Sequence, residues 1–237
     1  MNYIKDSFDQ QGEKWFVGDA IREITWDPNH LGPEVVAQLS YENNQYTFSI
    51  PLTRHGGGLV DTWFINIAEY APFNQQITPL PETFCLEAKA KFANSTKEYD
   101  PWWAYWGILF GGNEEKTEFY SFKVNANHDF AVLQNVNYVY PGNRSGLPEE
   151  DSNIERQITQ WGEHDLGAER LSSMRYNVIK VKVQNTNYKF FINNEKVVDI
   201  EIEDVPRDRI GIIGGSWEYT PVEIWFDYFL YDADCTE

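Results

Sequence analysis

The sequence predicts an all-β protein, a sandwich of two antiparallel sheets, and two observations carry that prediction. First, the last sixty residues alternate apolar and polar side chains, as in 176–184 (YNVIKVKVQ), where Ile179, Val181 and Val183 share one face. A period of two is typical of strands that bury one face. Second, turn residues separate these segments. The pair Asn193–Asn194 is one example, since asparagine accepts the positive φ of a tight hairpin.

Strand candidates follow one another along the whole chain. Residues 1–80 hold an opening strand and an apolar stretch at 59–70, separated by loops rich in glycine and proline. The next candidates lie at 84–92, 106–112, 117–125 and 129–134. The valine-rich strand at 176–184 is followed by candidates at 188–192, 198–203, 210–213 and 222–231.

The last candidate strand makes a specific prediction about side-chain direction. Alternation through 222–231 (VEIWFDYFLY) places Ile224, Phe226 and Tyr228 on the face that meets the other sheet. By contrast, 135–175 has no clear strand pattern, and loops of that length in a compact domain are usually functional or mobile. No boundary is evident, so we expect one domain over 1–237, with 1–80 contributing N-terminal strands and loops.

The order of the C-terminal segments resembles the concanavalin A-like lectin and glucanase family, the laminin-G-like jelly rolls. Segments 189–197 (KFFINNEKV), 209–215 (RIGIIGG) and 222–232 (VEIWFDYFLYD) are similar to that family's V-N-G-x-x-V hairpin, G-x-I-G-L strand and final V-x-F-D-N-F. The resemblance is nearest to the bacterial 3-keto-disaccharide hydrolase-like branch and covers nearly the whole chain. It implies a jelly roll of two antiparallel sheets.

The same resemblance bears on the two cysteines. In that family the first strand of the sandwich and the last usually lie antiparallel and adjacent. Here Cys85 opens the first of these strands and Cys235 follows the last. The resemblance therefore implies that the two residues end on neighbouring strands. A disulfide is then geometrically possible, and two free thiols are the alternative.

Charge and hydropathy restrict the partners. The chain has 19 Lys and Arg against 37 Asp and Glu, a net charge of −18, which would repel nucleic acid or an anionic membrane surface. An acidic polysaccharide is disfavoured for the same reason, whereas a neutral carbohydrate, a cation or a protein surface remains open. No apolar stretch approaches the roughly 20 residues of a membrane span. The N-terminus lacks the apolar region of a signal peptide, which is expected of a cytoplasmic chain or of a secreted one whose leader is removed.

Aromatic residues make up 16% of the chain, and several are placed where a sugar could stack on them. If Trp106 faces the core, Trp103 and Tyr105 lie on the opposite face of that strand, and Phe119 does so in the next strand if Phe122 faces inward. Sugar rings stack on aromatic faces while their hydroxyls need polar neighbours. The predicted ligand-binding residues are Trp103, Tyr105, Phe119, Tyr138, Tyr140 and Trp217. For each ring the alternative is that it fills the core or packs within a loop cluster.

Motifs for catalysis or metal binding are not found. Family 16 glucanases carry Glu-x-Asp-x-x-Glu on one strand, which places two carboxylates across the scissile bond. The nearest segment here, 201–204 (EIED), ends in a turn. The four histidines lack the spacing of zinc ligands, and no cofactor is predicted. A structural calcium ion is possible, with oxygen ligands from the segments 128–129, 149–151, 203–208 and 232–234.

The sequence therefore predicts a non-catalytic recognition module that binds a neutral glycan through exposed aromatic residues. Two alternatives stay open. One is a glycoside hydrolase of the keto-sugar or glucanase type, which the resemblance alone implies. The other is a structural or assembly subunit whose aromatic surface meets another protein. A groove with two carboxylates about 5–10 Å apart would favour hydrolysis, and a flat apolar patch would favour a protein partner.

Overall fold

A computed structural model describes residues 3–9, 18–24, 32–50, 59–60, 64–65, 80–93, 104–114, 117–136, 154–161, 166, 171, 175–216 and 221–235. None of these residues lies in a helix, and the two sheets described below confirm the predicted all-β class. It follows that no helix in these ranges has the length and apolar character needed to cross a bilayer.

Sixteen strands lie within the described residues. In chain order they are β1 Tyr3–Asp6, β2 Gly18–Ile24, β3 Gly32–Glu42, β4 Gln45–Ile50, β5 Leu59–Val60, β6 Phe64–Ile65, β7 Thr83–Phe92, β8 Ala104–Gly112, β9 Phe119–Asn125, β10 Phe130–Val136, β11 Ile154–Gln157, β12 Asn177–Gln184, β13 Asn187–Ile192, β14 Glu195–Glu201, β15 Arg209–Ser216 and β16 Val222–Asp232. The β13–β14 hairpin turns at Asn193 and Asn194, whose φ angles of 49° and 70° confirm the positive-φ turn.

The strands form two sheets in which each pairing is antiparallel. The first sheet has nine strands in the order β14-β13-β12-β7-β16-β4-β3-β2, and β1 also pairs with β16. Strand β4 pairs with residues 222–226 of β16 and β1 with residues 229–232, so β1 continues the line of β4. The second sheet has seven strands in the order β11-β10-β9-β8-β15-β5, with β6 also paired to β15.

Aromatic side chains fill the space between the two sheets. Trp106 of β8 meets Phe226 of β16 edge to face, with ring centroids 5.9 Å apart. Phe122 of β9 packs on Phe190 of β13 at 5.0 Å. Such contacts add to the stabilisation that comes from burying the rings. They join β8 and β9 of the second sheet to β13 and β16 of the first, so the core lies between the sheets as the alternation predicted.

Strand β16 corrects one detail of the prediction. Ile224 and Phe226 are buried in the core, as expected, but Tyr228 is not part of it. A β-bulge between Phe226 and Tyr228 shifts the register with β7, and an extra residue in a strand reverses the side-chain alternation beyond it. Phe229 therefore packs in the core instead. Tyr228 lies on the outer face, where its hydroxyl donates a hydrogen bond to Glu87 Oε1 at 2.5 Å.

The two cysteines end on neighbouring strands, which confirms that part of the prediction. Cys85 lies in β7 opposite Asp232 of β16, and Cys235 follows β16 closely. The two residues form a disulfide with a Cα–Cα distance of 5.2 Å, within the usual range of about 4.4–6.8 Å. Of the two alternatives, the bonded pair is the one the structure contains.

Candidate functional site

The outer face of the second sheet is the face of β8, β9, β10 and β15 that points away from the first sheet. Strand alternation places it opposite the core-facing Trp106, Phe122, Val132 and Ile212. Its larger side chains are Tyr105, Leu109, Phe119, Ser121, Lys123, Leu133, Asn135 and Ile213, and all of them are buried. This sheet is therefore covered on both faces.

A small apolar cluster lies on this outer face, separate from the main core. It consists of Tyr105, Leu109, Phe119 and Ile213, and the half-buried ring of Trp161 packs against it. The segment that carries Trp161 is fastened to β10, because the Thr159 hydroxyl accepts a hydrogen bond from the Val132 N–H at 2.8 Å. The Ile158 and Thr159 N–H groups also donate to the Val132 carbonyl oxygen, so the segment before Trp161 is held against β10.

Glycines let the Tyr105 ring lie flat on the neighbouring strand β15. A Cβ atom on Gly215, which faces Tyr105 in register, would lie 2.5 Å from the tyrosine hydroxyl oxygen. In the next row Lys123 stands between Gly107 and Ala131, and these small residues leave space beside its long side chain.

Lys123 is the one basic side chain that is fully buried within the described part of the chain. Its ammonium nitrogen lies 4.5 Å from the centroid of the Tyr105 ring, a distance at which a cation is attracted to an aromatic face. Removal of water from the ammonium group strengthens such a contact. Lys123 therefore places a positive charge at the centre of this face.

Two neutral polar atoms on this face are unsatisfied within the described part of the chain. Ser121 is fully buried and Asn135 is 6% exposed, and neither Ser121 Oγ nor Asn135 Oδ1 has a hydrogen-bond partner among the described residues. Buried polar atoms are normally satisfied, and an exception suggests a site for water or another small polar group. Hydroxyl groups of a ligand could meet the same need.

Carboxylates are missing from the strands of this face. Strands β8, β9, β10 and β15 contain no Asp or Glu. Glycoside hydrolysis by paired carboxyl groups needs two of them roughly 5–10 Å apart, and these four strands cannot supply the pair. In the described ranges no group of three or more His, Cys, Asp or Glu side chains is placed to hold a metal ion.

The predicted ligand-binding residues fall into two groups. Tyr105 and Phe119 lie together on the predicted face, but the expectation that their rings are exposed is wrong, because they are 1% and 0% exposed. They are covered because this face holds its own apolar cluster with Trp161 packed on it. The other four predicted residues lie outside the described residues, namely Trp103, Tyr138, Tyr140 and Trp217.

Half-exposed aromatic rings occur instead on the outer face of the first sheet, where lysines contact them. Lys91 Nζ lies 4.5 Å from the Trp225 ring and 4.7 Å from the Tyr176 ring. Lys5 Nζ lies 4.6 Å from the Tyr228 ring. Burial, followed by the nearby charge of Asp227, raises the pKa of the Tyr176 hydroxyl. The sequence did not predict these rings as a group because they come from separate segments. Tyr228 was predicted to face the core, because the bulge that reverses its direction cannot be recognised from the sequence.

Comparisons with known proteins find relatives by structure only. No protein-family model matches the sequence, and a search of curated proteins finds no match. A glycoside hydrolase family 16 endo-glucanase from Bacteroides ovatus has a TM-score of 0.53 and 9% identity, over 95% of this chain and 98% of that one. A β-1,3-1,4-glucanase (lichenase) from a mouse hindgut metagenome has a TM-score of 0.51 and 9% identity, over 98% and 100%.

A third similar structure is the GlcNAcα1-4Gal-releasing endo-β-galactosidase from Clostridium perfringens. It has a TM-score of 0.51 and 13% identity, and the match covers 97% of this chain and 62% of that one. At these identities the matches show the fold, which is a concanavalin A-like jelly roll of two antiparallel sheets. The predicted fold class is confirmed. The closer likeness to the 3-keto-disaccharide hydrolase-like branch stays a prediction.

Proposed function

We propose that this chain binds a neutral glycan on the outer face of the second sheet and does not cleave it. One observation carries the proposal: the face combines aromatic rings with two polar atoms that have no partner among the described residues, while its four described strands hold no carboxylate. Rings and polar groups side by side suit a sugar, which has both C–H faces and hydroxyls.

The similar structures support the glycan half of the proposal. Two are named as glucanases and one as an endo-β-galactosidase, so this fold is used on glycans in those proteins. Fold likeness alone does not carry an activity, since one fold can support many functions. The chemistry of the face has to decide between binding and cleavage, and the absence of Asp and Glu from the four described strands favours binding.

Each described group has a role under this proposal. Trp161, which is half-buried, would stack on a sugar ring, and Tyr105 would support that contact through the cluster. Ser121, Asn135 and Lys123 are buried, so they would meet sugar hydroxyls through bridging water rather than directly. The sequence-predicted rings Trp103, Tyr138, Tyr140 and Trp217 are proposed to complete the site.

Calorimetry against a panel of neutral oligosaccharides tests the binding half. A stacked ring is worth on the order of 1 kcal/mol beyond its buried area, so Trp161→Ala and Trp103→Ala should each weaken binding several-fold or more. Trp225→Ala is the matched control, because it removes a half-buried tryptophan from the other sheet's outer face. The proposal is overturned if the parent protein binds none of the panel, or if Trp225→Ala weakens binding as much as Trp161→Ala.

A second measurement tests the non-catalytic half. The parent protein is incubated with each glycan that it binds, and new reducing ends are measured over hours. We expect none above the level of a protein-free control. Release of products that depends on the protein would support the hydrolase alternative instead and would require carboxylates outside the four strands.

A further inference from the structure

Three lysines stand together on the outer face of the first sheet. Lys180 and Lys182 lie two residues apart in β12 and point to the same side, and Lys189 of β13 stands directly opposite Lys182 in the register. All three are half-buried. Directly opposed residues in an antiparallel pair have Cβ atoms about 4.5–5.5 Å apart, and like charges in that position are destabilising.

The acid opposite Lys189 is engaged by other donors. Asp199 of β14 faces Lys189 in the register. Its Oδ1 accepts a hydrogen bond from Asn187 Nδ2 at 3.0 Å, and its Oδ2 forms an ion pair with Lys196 Nζ at 2.8 Å. These contacts, with that of Lys196 first, hold the pKa of the Asp199 carboxyl below its usual value. The nearby charge of Lys189 lowers this pKa as well, so one carboxylate balances two lysines and leaves a net positive charge here.

The other two lysines have one carboxylate between them in the register. Glu87 of β7 faces Lys180, and Glu87 Oε1 also accepts the Tyr228 hydroxyl at 2.5 Å. Lys182 faces Cys85, which is uncharged and disulfide-bonded. Among the described residues no ion pair within 4.0 Å involves any of the three lysines.

We propose that these lysines form a second binding surface, for an anionic glycan that carries sulfate or carboxylate groups. A chain with 37 acidic residues has many possible counterions, yet it leaves two lysines opposed. An external anion would relieve that repulsion. The net charge of −18 does not forbid this, because charges are screened over about 8 Å at physiological salt, so the local charge decides.

The surroundings favour a glycan over an acidic protein segment. Phe191 of β13 is half-buried beside Lys180 in the register, so a sugar could stack on this ring while its anionic group meets the ammonium groups. A peptide that added itself as a strand would need a free sheet edge. Both β12 and β13 are interior strands, flanked by β7 and β14, and offer only a flat face of side chains.

Dextran sulfate and unmodified dextran of the same length are the probes, measured by calorimetry at low and physiological salt. We expect the parent to bind dextran sulfate, more weakly as salt rises, and not to bind dextran through this surface. Lys182→Gln with Lys189→Gln should weaken binding at least tenfold. The control, R156Q with R175Q, removes two exposed positive charges elsewhere and should bind like the parent.

A stability measurement separates a binding role from a structural one. If the opposed lysines serve a ligand, the Lys182→Gln and Lys189→Gln double variant should melt no lower than the parent when no ligand is present. The proposal is overturned if neither dextran sulfate nor carboxymethyl-dextran binds, or if both double variants lose equal affinity. It is also overturned if polyglutamate binds through these lysines as tightly, which would indicate an acidic protein partner. None of these outcomes bears on the neutral-glycan site.

Discussion

The two sheets have similar inner faces and very different outer faces. On the first sheet the outer face carries lysines, carboxylates and half-exposed rings, with contacts such as the Lys89–Asp227 ion pair at 2.8 Å. On the second sheet it is buried, with a small apolar cluster around a single lysine, Lys123. Alternation therefore tells which side chains share a face, but not whether that face meets water or other parts of the protein.

The residue types on the strands explain the difference. Strand β12 alternates strictly, with Val181 between Lys180 and Lys182, and is half-buried on its outer side. Strand β8 (AYWGILFGG) has no charged residue and is buried at every position. Near-continuous apolar runs are typical of strands covered on both faces. The apolar run in β8 therefore indicates, from the sequence alone, that both faces of this strand are covered.

Removal of the disulfide is expected to lower the free energy of unfolding more than any other change described below. Both cysteines are buried, although most side chains on the outer face of the first sheet are partly exposed. The bridge joins residues 150 positions apart, and restricting the unfolded chain over such a length is worth about 5 kcal/mol in the chain-entropy model. Cys85→Ala with Cys235→Ala should lower the free energy of unfolding by up to that amount in urea denaturation. Reduction of the parent should have a similar effect, and a loss below about 1 kcal/mol would contradict the account.

A pair of leucines tests the comparison of the two outer faces directly. Leu109 on the second sheet is fully buried, whereas Leu230 on the first is half-buried. Leu109→Ala should cost about 2–5 kcal/mol, as for a core residue, because it leaves a cavity. Leu230→Ala should cost about 1 kcal/mol or less. If both variants lose the same free energy of unfolding in urea denaturation, the two outer faces do not differ in packing and the comparison fails.

Core tyrosines of the first sheet provide an intermediate effect. Burial is the main cause that raises the pKa of Tyr188 and of Tyr231 to about 12, above the usual value of about 10. A raised pKa favours the neutral form in the folded state, so the stabilisation is complete below about pH 10 and is lost as the pH rises towards 12. We expect a loss of about 1–2 kcal/mol per tyrosine, allowing for solvent screening.

Urea denaturation between pH 8 and pH 11.5 measures this loss. Tyr231→Phe should reduce the pH dependence, because one ionising group is removed, while repulsion from the overall negative charge is unchanged. Tyr176→Phe, on the outer face, is the matched control and should alter the slope less. An identical slope in the parent and in Tyr231→Phe would contradict the assignment.

The smallest effect is expected for a single charge on the open face. Lys89 and Asp227 are about one third exposed, and such pairs contribute little because water screens them. Lys89→Gln should cost about 0.5 kcal/mol or less, and the difference from the parent should shrink in high salt. A loss above 2 kcal/mol would mean that this face is as tightly packed as that of the second sheet.

The sequence predicted the strands and their inner faces because period-two alternation is a local property. Trp106, Phe122 and Ile224 all face the core as expected. Tyr228 could not be placed, since a bulge depends on how β16 pairs with β7. The burial of Tyr105 and Phe119 could not be predicted locally, since Trp161, which packs against their cluster, is distant in sequence from both. The opposition of Lys182 and Lys189 followed from the short β12–β13 turn but was not recognised, because only the register makes them neighbours.

The pairing of β1 with β16 has a consequence for anything attached to this fold. Tyr3 faces Asp232 in the register, so the beginning of the first described strand lies beside the end of the last one. A tag or neighbouring domain fused before β1 and another fused after β16 would leave the molecule from almost the same point. A short linker between these two strands would also suit a circular permutant, with new ends opened in a surface turn such as Asn193–Asn194.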